Sequence, residues 1–217
     1  MEIVSEQLSS HIISFPVRDL KPDNIGFDIQ GTVKLFDFGL AKELDDSFKS
    51  GACPECYELT GNTGSMRYMS PEVALRVPYH LSADVYSFGL LLWQICSLEV
   101  PFHGLSRNDH WTYVIEGSER PVLDPTWSST IHDLIQRCWD PVATCRPSMN
   151  VIYPWLHHEV TTLRRADAIM EMQATSSRRS IFDFNQESSS PRTMSKSGLV
   201  SKPKTIRGML KNPRRSS

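Results

Sequence analysis

The strongest constraint in this sequence is a pair of polar motifs separated by a short hairpin pattern. Residues 18–24 read Arg-Asp-Leu-Lys-Pro-Asp-Asn, and residues 37–39, which begin 13 positions after Asn24, read Asp-Phe-Gly. Between them, residues 25–29 and 32–35 alternate around a Gln-Gly turn, which predicts two antiparallel strands. A hairpin returns the chain to its starting point, so we expect Asn24 and Asp37 to point at one place.

The side chains of these motifs have the chemistry needed around a metal-bound phosphate. Amide and carboxylate oxygens, as in Asn24 and Asp37, are hard ligands that suit Mg²⁺. Asp19 and Lys21 are two residues apart, so in extended backbone they share a face. Asp19 can accept a proton from an attacking hydroxyl, while Lys21 can neutralise charge on the group being transferred.

The ordered set of motifs resembles the eukaryotic protein kinase family. Residues 18–24 resemble its catalytic loop, residues 37–39 its magnesium loop, and residues 70–72 (Ser-Pro-Glu) its third signature, with Ser in place of Ala. The resemblance implies the C-terminal lobe of a kinase: an α+β, mainly α fold with a small β-hairpin at the catalytic loop. The domains expected are a non-matching extension (1–16), the lobe (17–160) and a basic, Ser-rich, largely disordered tail (161–217).

The resemblance also implies a role for each matched residue. Asp19 would be the catalytic base and Lys21 would steady the phosphoryl group, while Asn24 and Asp37 would hold Mg²⁺ and, with Lys21, bind ATP. Ser65, where the family usually has Thr, lies in the loop that receives the substrate residue beside the acceptor.

The remaining matched residues would position these groups. Asp84 would hold the catalytic-loop backbone, and Arg146 would pair with Glu72. Phe38 and Gly39 complete the magnesium loop. Arg18 would receive a phosphate added to the activation loop by an upstream kinase; the candidate acceptors are Ser47, Ser50, Thr60 and Thr63.

The class of kinase follows from further matches. Lys21, followed by Pro-Asp-Asn, resembles serine/threonine rather than tyrosine kinases, and residues 82–89 and 146–149 resemble the tyrosine-kinase-like group of these enzymes. The resemblance therefore implies transfer of the γ-phosphate of ATP, with Mg²⁺, to Ser or Thr hydroxyls of a protein substrate.

The sequence departs from the family pattern in two places. Val17 stands where the family has His. Only sixteen residues precede Val17, and they contain neither a glycine-rich loop nor a lysine, so we expect this chain alone not to transfer phosphate. A truncated catalytic domain, from a gene model or fragment that lacks the upstream half, is the favoured explanation. The alternative is a catalytically dead half-domain that acts as a scaffold or decoy binding module.

Charge and apolar content constrain the partners and the cellular location expected for the protein. The net charge is −2, yet residues 176–217 carry ten Lys or Arg and two Asp or Glu. A solvated tail is favoured over one bound to an acidic partner, and no nucleic-acid partner is expected. The longest apolar stretch, residues 88–96, is far short of the ~20 residues of a membrane span. A cytoplasmic location is expected, with the nucleus as alternative.

Five cysteines without a secretory signal favour a reducing compartment and free thiols. Cys53 and Cys56 form a CxxC pair, for which reduced thiols are favoured over a zinc site or redox regulation. Apolar periodicity predicts helices over residues 83–97, capped by Ser82, over 131–139, and over 148–160, where Pro154 is expected to kink or break the helix. The polar stretch 41–69 is expected to be a functional loop.

Overall fold

The computed structural model describes the backbone of residues 15–187 and the side chains of residues 15–173. Within these residues the fold is mainly helical with one small antiparallel sheet, which confirms the predicted class. The strands are β1 (Ile25–Phe27) and β2 (Val33–Leu35); the helices are α1 (Pro71–Ala74), α2 (Ser82–Ser97), α3 (Arg107–Asp109), continued by a π-helical segment (His110–Glu116), α4 (Ser129–Cys138) and α5 (Met149–Glu187).

The hairpin forms where the alternating pattern predicts it. Ile25 pairs with Leu35 and Phe27 with Val33. The turn is closed by Asp28, whose Oδ1 accepts the backbone N–H groups of residues 30 and 32 at 3.0 and 2.8 Å. Gly31 has φ +80°, a conformation that favours glycine in such turns. The hairpin thereby connects the two polar motifs.

Helix α2 is the centre of the core because it is apolar on most of its faces. Tyr86 and Leu90 are fully buried, and α4 packs on the helix through Leu134 and Ile135. At Gly89 an added Cβ would lie 2.8 Å from Cβ of Cys138, so α2 and α4 approach closely only because this residue is glycine. The core is therefore assembled around α2.

The predicted cap of α2 is wrong. Ser82 is the first residue inside the helix, the N-cap is Leu81, and no side chain caps the end. The backbone N–H of Ser82 instead donates to Nδ1 of His80 at 3.1 Å. In contrast, α4 has a side-chain cap, because Ser128 accepts from the N–H of Ile131.

Helix α5 begins at Met149, and Ile152 in its first turn is buried against the core. Pro154 lies inside this helix, which is not broken there. Proline has no N–H to donate to the carbonyl of residue 150, so one backbone hydrogen bond of the helix is lost at this position. The N–H groups of Val151 and Ile152 both donate to the carbonyl of Ser148.

Helix α5 continues past residue 161, the predicted start of the tail, and ends at Glu187. Residues 163–173 are rich in Leu, Arg, Ala, Met and Glu, which favour helix. The chain divides into two compact units, Met1–Ala166 and Asp167–Ser217. The extension predicted for residues 1–16, apart from its last two residues, and the disorder predicted for residues 188–217 lie outside the described residues. No helix in the described part of the chain has the length and apolarity needed to cross a bilayer.

The stretch 41–69 is irregular and is held by a few backbone contacts. Tyr57 forms antiparallel bridges with both Lys49 and Tyr79. The expectation of reduced thiols is wrong in this structure: Cys53 and Cys56, with Cα atoms 5.2 Å apart, form a disulfide. The two residues lie in one turn, in which the N–H of Cys56 donates to the carbonyl of Cys53 at 3.0 Å. Among the described residues, no group of three or more His, Cys, Asp or Glu could hold a metal ion.

Candidate active site

The loop of residues 17–24 is anchored to the core by one buried carboxylate. Asp84, near the start of α2, accepts the backbone N–H of Val17 at 2.6 Å and that of Arg18 at 2.9 Å. Burial raises the pKa of Asp84, and the two N–H groups offset only part of that effect. Arg18 has φ +65°, a left-handed conformation that turns the chain towards these contacts. The loop is thus bonded directly to the central helix.

Asp19 lies at the centre of a network with Lys21 and Ser65. Nζ of Lys21 donates to Oδ2 of Asp19 at 2.7 Å and to Oγ of Ser65 at 2.8 Å. The backbone N–H of Ser65 donates to Oδ1 of Asp19 at 2.8 Å. Burial raises the pKa of Asp19, but the hydrogen bonds from Lys21 and Ser65 outweigh it, so the net pKa lies below the ordinary value. Asp19 is therefore an ionised carboxylate, able to accept a proton.

Gly64 is what brings Ser65 so close to the loop. It has φ +91°, and an added Cβ would lie 2.4 Å from the carbonyl oxygen of Arg18. No side chain fits at that distance from a backbone oxygen, so a residue other than glycine would push Ser65 away from Asp19.

Asn24 is buried and bonded to the same aspartate. Its Nδ2 donates to the carbonyl of Asp19 at 2.9 Å and to Oδ2 of Asp19 at 3.2 Å. This orientation leaves Oδ1 of Asn24 without a hydrogen-bond partner in the described residues. The backbone carbonyl of Asn24 accepts the N–H of Phe36 at 2.8 Å. Asn24 therefore links the loop to the residue that precedes Asp37.

Asp37 is exposed and also has a left-handed backbone, with φ +56°. Within the described residues its Oδ1 accepts one hydrogen bond, from the N–H of Gly39 at 3.2 Å. The pKa of Lys21 is raised, chiefly by its bond to Asp19 against an opposing effect of burial, and the charge of Asp37 adds to the increase. Asp37 is thus close enough to act on Lys21 electrostatically, although no direct bond joins it to residues 19–24.

An amide oxygen and a carboxylate with free lone pairs are the donor set that Mg²⁺ takes, usually completed by water and phosphate oxygens. Asn24 and Asp37 fit that requirement, and the carboxylate of Asp19 adds negative charge nearby. Asn24 directly contacts Asp19. Asp37, which sequence analysis expected to point at the same place as Asn24, is connected to it only through the backbone bond from Phe36 to Asn24. Phe38 and Gly39, which follow Asp37, are exposed.

The guanidinium of Arg18 is held by neutral groups. Its Nε donates to the carbonyl of Leu40 at 2.5 Å, and Nη1 lies 3.2 Å from the hydroxyl of Tyr79 and 3.4 Å from the carbonyl of Thr60. Among the candidate phosphate acceptors, Ser50 is buried and its hydroxyl donates to Glu58 at 2.7 Å. Ser47, Thr60 and Thr63 are less buried.

Glu72 and Arg146, which are 74 residues apart, form a bidentate ion pair. Nη1 and Nη2 of Arg146 lie 2.6 and 3.0 Å from the two carboxylate oxygens. Arg146 also donates to the carbonyls of Ser82 and Asp140. Burial raises the pKa of Glu72, but the bonds from Arg146 prevail and its net pKa is lowered. The pair ties α1 to the turn before α5.

Sequence reasoning missed several contacts of the site. It did not place Tyr79 against Arg18, nor the hydroxyl of Ser65 against Lys21. It also missed the ring of Tyr86, whose centroid lies 5.0 Å from Cζ of Arg120 and 5.1 Å from Cζ of Arg146. The only signal in the sequence was Gly64, because glycine before a polar residue marks a tight backbone approach. The other contacts join distant positions and carry no local pattern.

The family model described as protein kinase domain matches residues 9–159, which is more than half of the chain. The chain is 34% identical over 134 residues to "Dual specificity protein kinase shkB" of Dictyostelium discoideum, covering 60% of this chain and 19% of that protein. It is 35% identical over 137 residues to "Serine/threonine/tyrosine-protein kinase HT1" of Arabidopsis thaliana, covering 62% and 32%.

A third relative, "Mitogen-activated protein kinase kinase kinase 7" of Drosophila melanogaster, is 32% identical over 155 residues, or 71% of this chain and 21% of that protein. The matched region thus spans between about a fifth and a third of the length of these three relatives. Their names describe the relatives as whole proteins.

Proposed function

Because this chain belongs to the protein kinase family, we propose that it carries the phosphate-handling half of a serine/threonine kinase. The reaction would transfer the γ-phosphate of ATP to a Ser or Thr hydroxyl of a protein substrate. The observation that supports this most is the network in which Lys21 and Ser65 both contact the ionised carboxylate of Asp19.

Asp19 is the proposed catalytic base. The acceptor hydroxyl oxygen bonds to the γ-phosphorus of ATP, the bond to the β-γ bridging oxygen breaks, and the hydroxyl proton passes to the carboxylate of Asp19. The depressed pKa of Asp19 keeps it unprotonated until the substrate arrives. Phosphoryl transfer depends mainly on positioning and charge stabilisation, so a weak but well-placed base is sufficient.

Lys21 and Ser65 would set the position of the acceptor. Nζ of Lys21 has two oxygen partners, which leaves a third donor for an oxygen of the transferred phosphoryl group. Ser65 belongs to the segment proposed to receive the protein substrate, and its N–H and hydroxyl connect that segment to Asp19 and Lys21. Substrate docking and chemistry would thereby share one set of contacts.

Asn24 and Asp37 are the proposed Mg²⁺ ligands, through Oδ1 of the amide and the free carboxylate oxygen. When bound, the ion would neutralise charge on the ATP phosphates. Asp84 would hold the loop, and Glu72 with Arg146 the segment that follows Ser65. We also propose that an upstream kinase phosphorylates the 41–69 stretch, with Arg18 as the cation that the phosphate meets.

A second candidate function is a binding module without activity. It is favoured by the exposure of apolar side chains beside the site, since Phe27 is 72% exposed and Phe38 57% exposed. Four further apolar side chains between them are also exposed, namely Ile29, Val33, Leu35 and Phe36. A concentration of exposed apolar groups, rather than a single one, is typical of a surface that contacts another protein.

Metal and nucleotide binding can be tested on the full chain by NMR with Mn²⁺ in place of Mg²⁺. In the presence of ATP, we expect paramagnetic broadening at Asn24 and Asp37, lost in Asp37→Asn. Asp28→Asn, an acidic residue in the same hairpin, is the matched control and should keep the broadening. Absence of broadening at both positions would contradict the proposed metal site and favour the binding module.

The proposed base can be tested by titrating the Asp19 carboxyl in ¹³C NMR spectra. Its pKa should lie below the ordinary aspartate value, and Lys21→Met should raise it, because burial then acts with less opposition. Asp23→Asn, which changes a neighbouring exposed carboxylate, is the control and should leave the pKa of Asp19 low. An unshifted pKa in the unmodified chain would contradict the network described above.

A further inference from the structure

Residues 48–58 form a closed loop with the disulfide at its tip, here called the disulfide loop. The N–H of Glu58 donates to the carbonyl of Phe48 at 2.6 Å, and the N–H of Ser50 to the carbonyl of Cys56 at 2.8 Å. The Cys53–Cys56 bond crosses the turn beyond these contacts. The two sides of the loop are therefore held together by backbone bonds at the base and one covalent bond at the tip.

The disulfide loop is connected to the catalytic loop through one tyrosine. The N–H of Tyr57 donates to the carbonyl of Tyr79 at 2.9 Å, and the N–H of Tyr79 donates back at 3.2 Å. Tyr79 is 2% exposed, and its hydroxyl contacts Nη1 of Arg18 and donates to the carbonyl of Thr60 at 2.9 Å. Arg18 directly precedes Asp19. Tyr57, which follows Cys56, is thus connected through Tyr79 to the guanidinium of Arg18, the residue before the proposed base.

The two bonded cysteines are open to a reagent. Both are only partly buried, and the residues between them, Pro54 and Glu55, are exposed. Cys56 also lines a pocket of about 290 Å³ that includes Tyr79 and Glu72. In contrast, Cys138 is buried in the core. A thiol reagent can therefore reach this pair without the core opening.

We propose that Cys53 and Cys56 form a reversible thiol–disulfide modification site that controls the order of the disulfide loop and of Arg18. The reductant it takes is a dithiol. One thiolate of the dithiol attacks a sulfur of the pair and releases the other as a thiolate, which takes up a proton. The second thiol of the dithiol then displaces the remaining cysteine, so two electrons and two protons reach the protein and the dithiol becomes a disulfide.

This inference rests on the proposed function only in assigning a consequence to the order of Arg18. With the disulfide formed, Arg18 is held by the carbonyls of Leu40 and Thr60 and by the hydroxyl of Tyr79, all neutral groups. Opening the tip leaves the loop with its backbone bonds and the bond from the Ser50 hydroxyl to Glu58. The loss of the covalent bond loosens the Tyr57–Tyr79 bridge and, through it, the contact with Arg18. Oxidation would thereby order the 41–69 stretch without a phosphate on it.

Hydrogen exchange on the full chain without nucleotide tests the proposal, with dithiothreitol as the dithiol. Trypsin cleavage after Lys49 and Arg67 gives one peptide that contains both cysteines, whose mass reports the bond. On reduction we expect amide exchange at Tyr57 and Tyr79 to become faster, on the order of tenfold, because the loop opens locally. Equal exchange in the two states would overturn the proposal, as would a bond that dithiothreitol does not reduce or oxidised dithiothreitol does not restore.

Two variants separate this site from other effects of the reductant. The double variant Cys53→Ser/Cys56→Ser should exchange rapidly with and without dithiothreitol, whereas Cys145→Ser, which removes an exposed free thiol, should respond as the unmodified chain does. A double variant that still responds would overturn the proposal. Exchange does not require catalysis, so failure of the metal-binding test with this response intact would contradict the kinase chemistry alone.

Discussion

The two polar motifs differ sharply in how the protein holds them. The anchored half, residues 17–24, is bonded to α2 through Asp84 and to residues 64–65 through Asp19. The exposed half, residues 33–39, has every side chain exposed, and one backbone bond from Phe36 to Asn24 connects it to the anchored half. The groups proposed to move a proton are therefore built into the core, while the proposed metal carboxylate, Asp37, lies on a thinly supported surface segment.

This difference indicates which side chains of the proposed site are positioned by the protein itself. A catalytic group must be held within a fraction of an ångström by neighbours that are themselves fixed. Asp19 satisfies this condition within the described residues, since both of its carboxylate oxygens have donors. Asp37 has one weak local contact, so its position depends on whatever else contacts it, including the ion and the nucleotide.

The strongest test of the core to which the anchored half is bonded is the ion pair of Glu72 and Arg146, because Arg146 also donates to the carbonyl of Ser82 at the start of α2. Arg146→Met should lower the free energy of unfolding by about 3–5 kcal/mol, because the largely buried carboxylate of Glu72 loses the cation that it contacts. Urea unfolding measures the change. Lys34→Met, which removes the exposed pair with Asp28 in the hairpin, is the matched control and should have no measurable effect. Equal effects of the two substitutions would abolish the contrast between the halves.

Asp84→Asn should have the next largest effect. One of the two loop N–H groups would face an amide nitrogen instead of a carboxylate oxygen, which should cost about 1.5–3 kcal/mol, the range for hydrogen bonds to charged groups. Urea unfolding measures the loss, and hydrogen exchange should become faster at Val17 and Arg18. Unchanged exchange at these amides would mean that Asp84 does not hold the loop.

Acidification should lower the stability of the fold through Glu72. The unfolded chain takes up a proton near the ordinary pKa of 4.5, and the folded protein does so only at lower pH. The contribution of the pair is therefore complete above pH 4.5 and is lost as the pH falls through the lowered, folded pKa. The stability difference between the unmodified chain and Glu72→Gln should shrink over that range, and a constant difference in urea midpoints would contradict the lowered pKa.

Phe38→Ala should have the smallest effect. The side chain is 57% exposed, so the free energy of unfolding should change by less than about 0.5 kcal/mol. Leu90→Ala, in the buried core, is the comparison and should cost about 2–5 kcal/mol. A large loss for Phe38→Ala in urea unfolding would mean that the exposed half is better supported than its contacts indicate.

Some features were predictable because they depend on neighbours in sequence. The alternation of residues 25–35 determined the hairpin, and the apolar pattern around Phe88 determined a buried helix. At Pro154 the same logic predicted a kink or a break, and the helix is not broken there, since the proline lies near the helix start and removes one backbone hydrogen bond. This logic failed at Cys53 and Cys56, where composition favoured free thiols but the local turn brings the two residues together.

The sequence by itself determined the motifs, their order and the residue types that suit a phosphate and a metal ion. Only the tertiary structure decided which of them are held. Within the described residues the Asp19 carboxylate has three donors and that of Asp37 has one. Arg18 meets a tyrosine 61 residues away. The physical reason is that burial and hydrogen bonding between distant segments depend on how α2, the hairpin and the 41–69 stretch pack together. No local pattern of residues encodes those contacts.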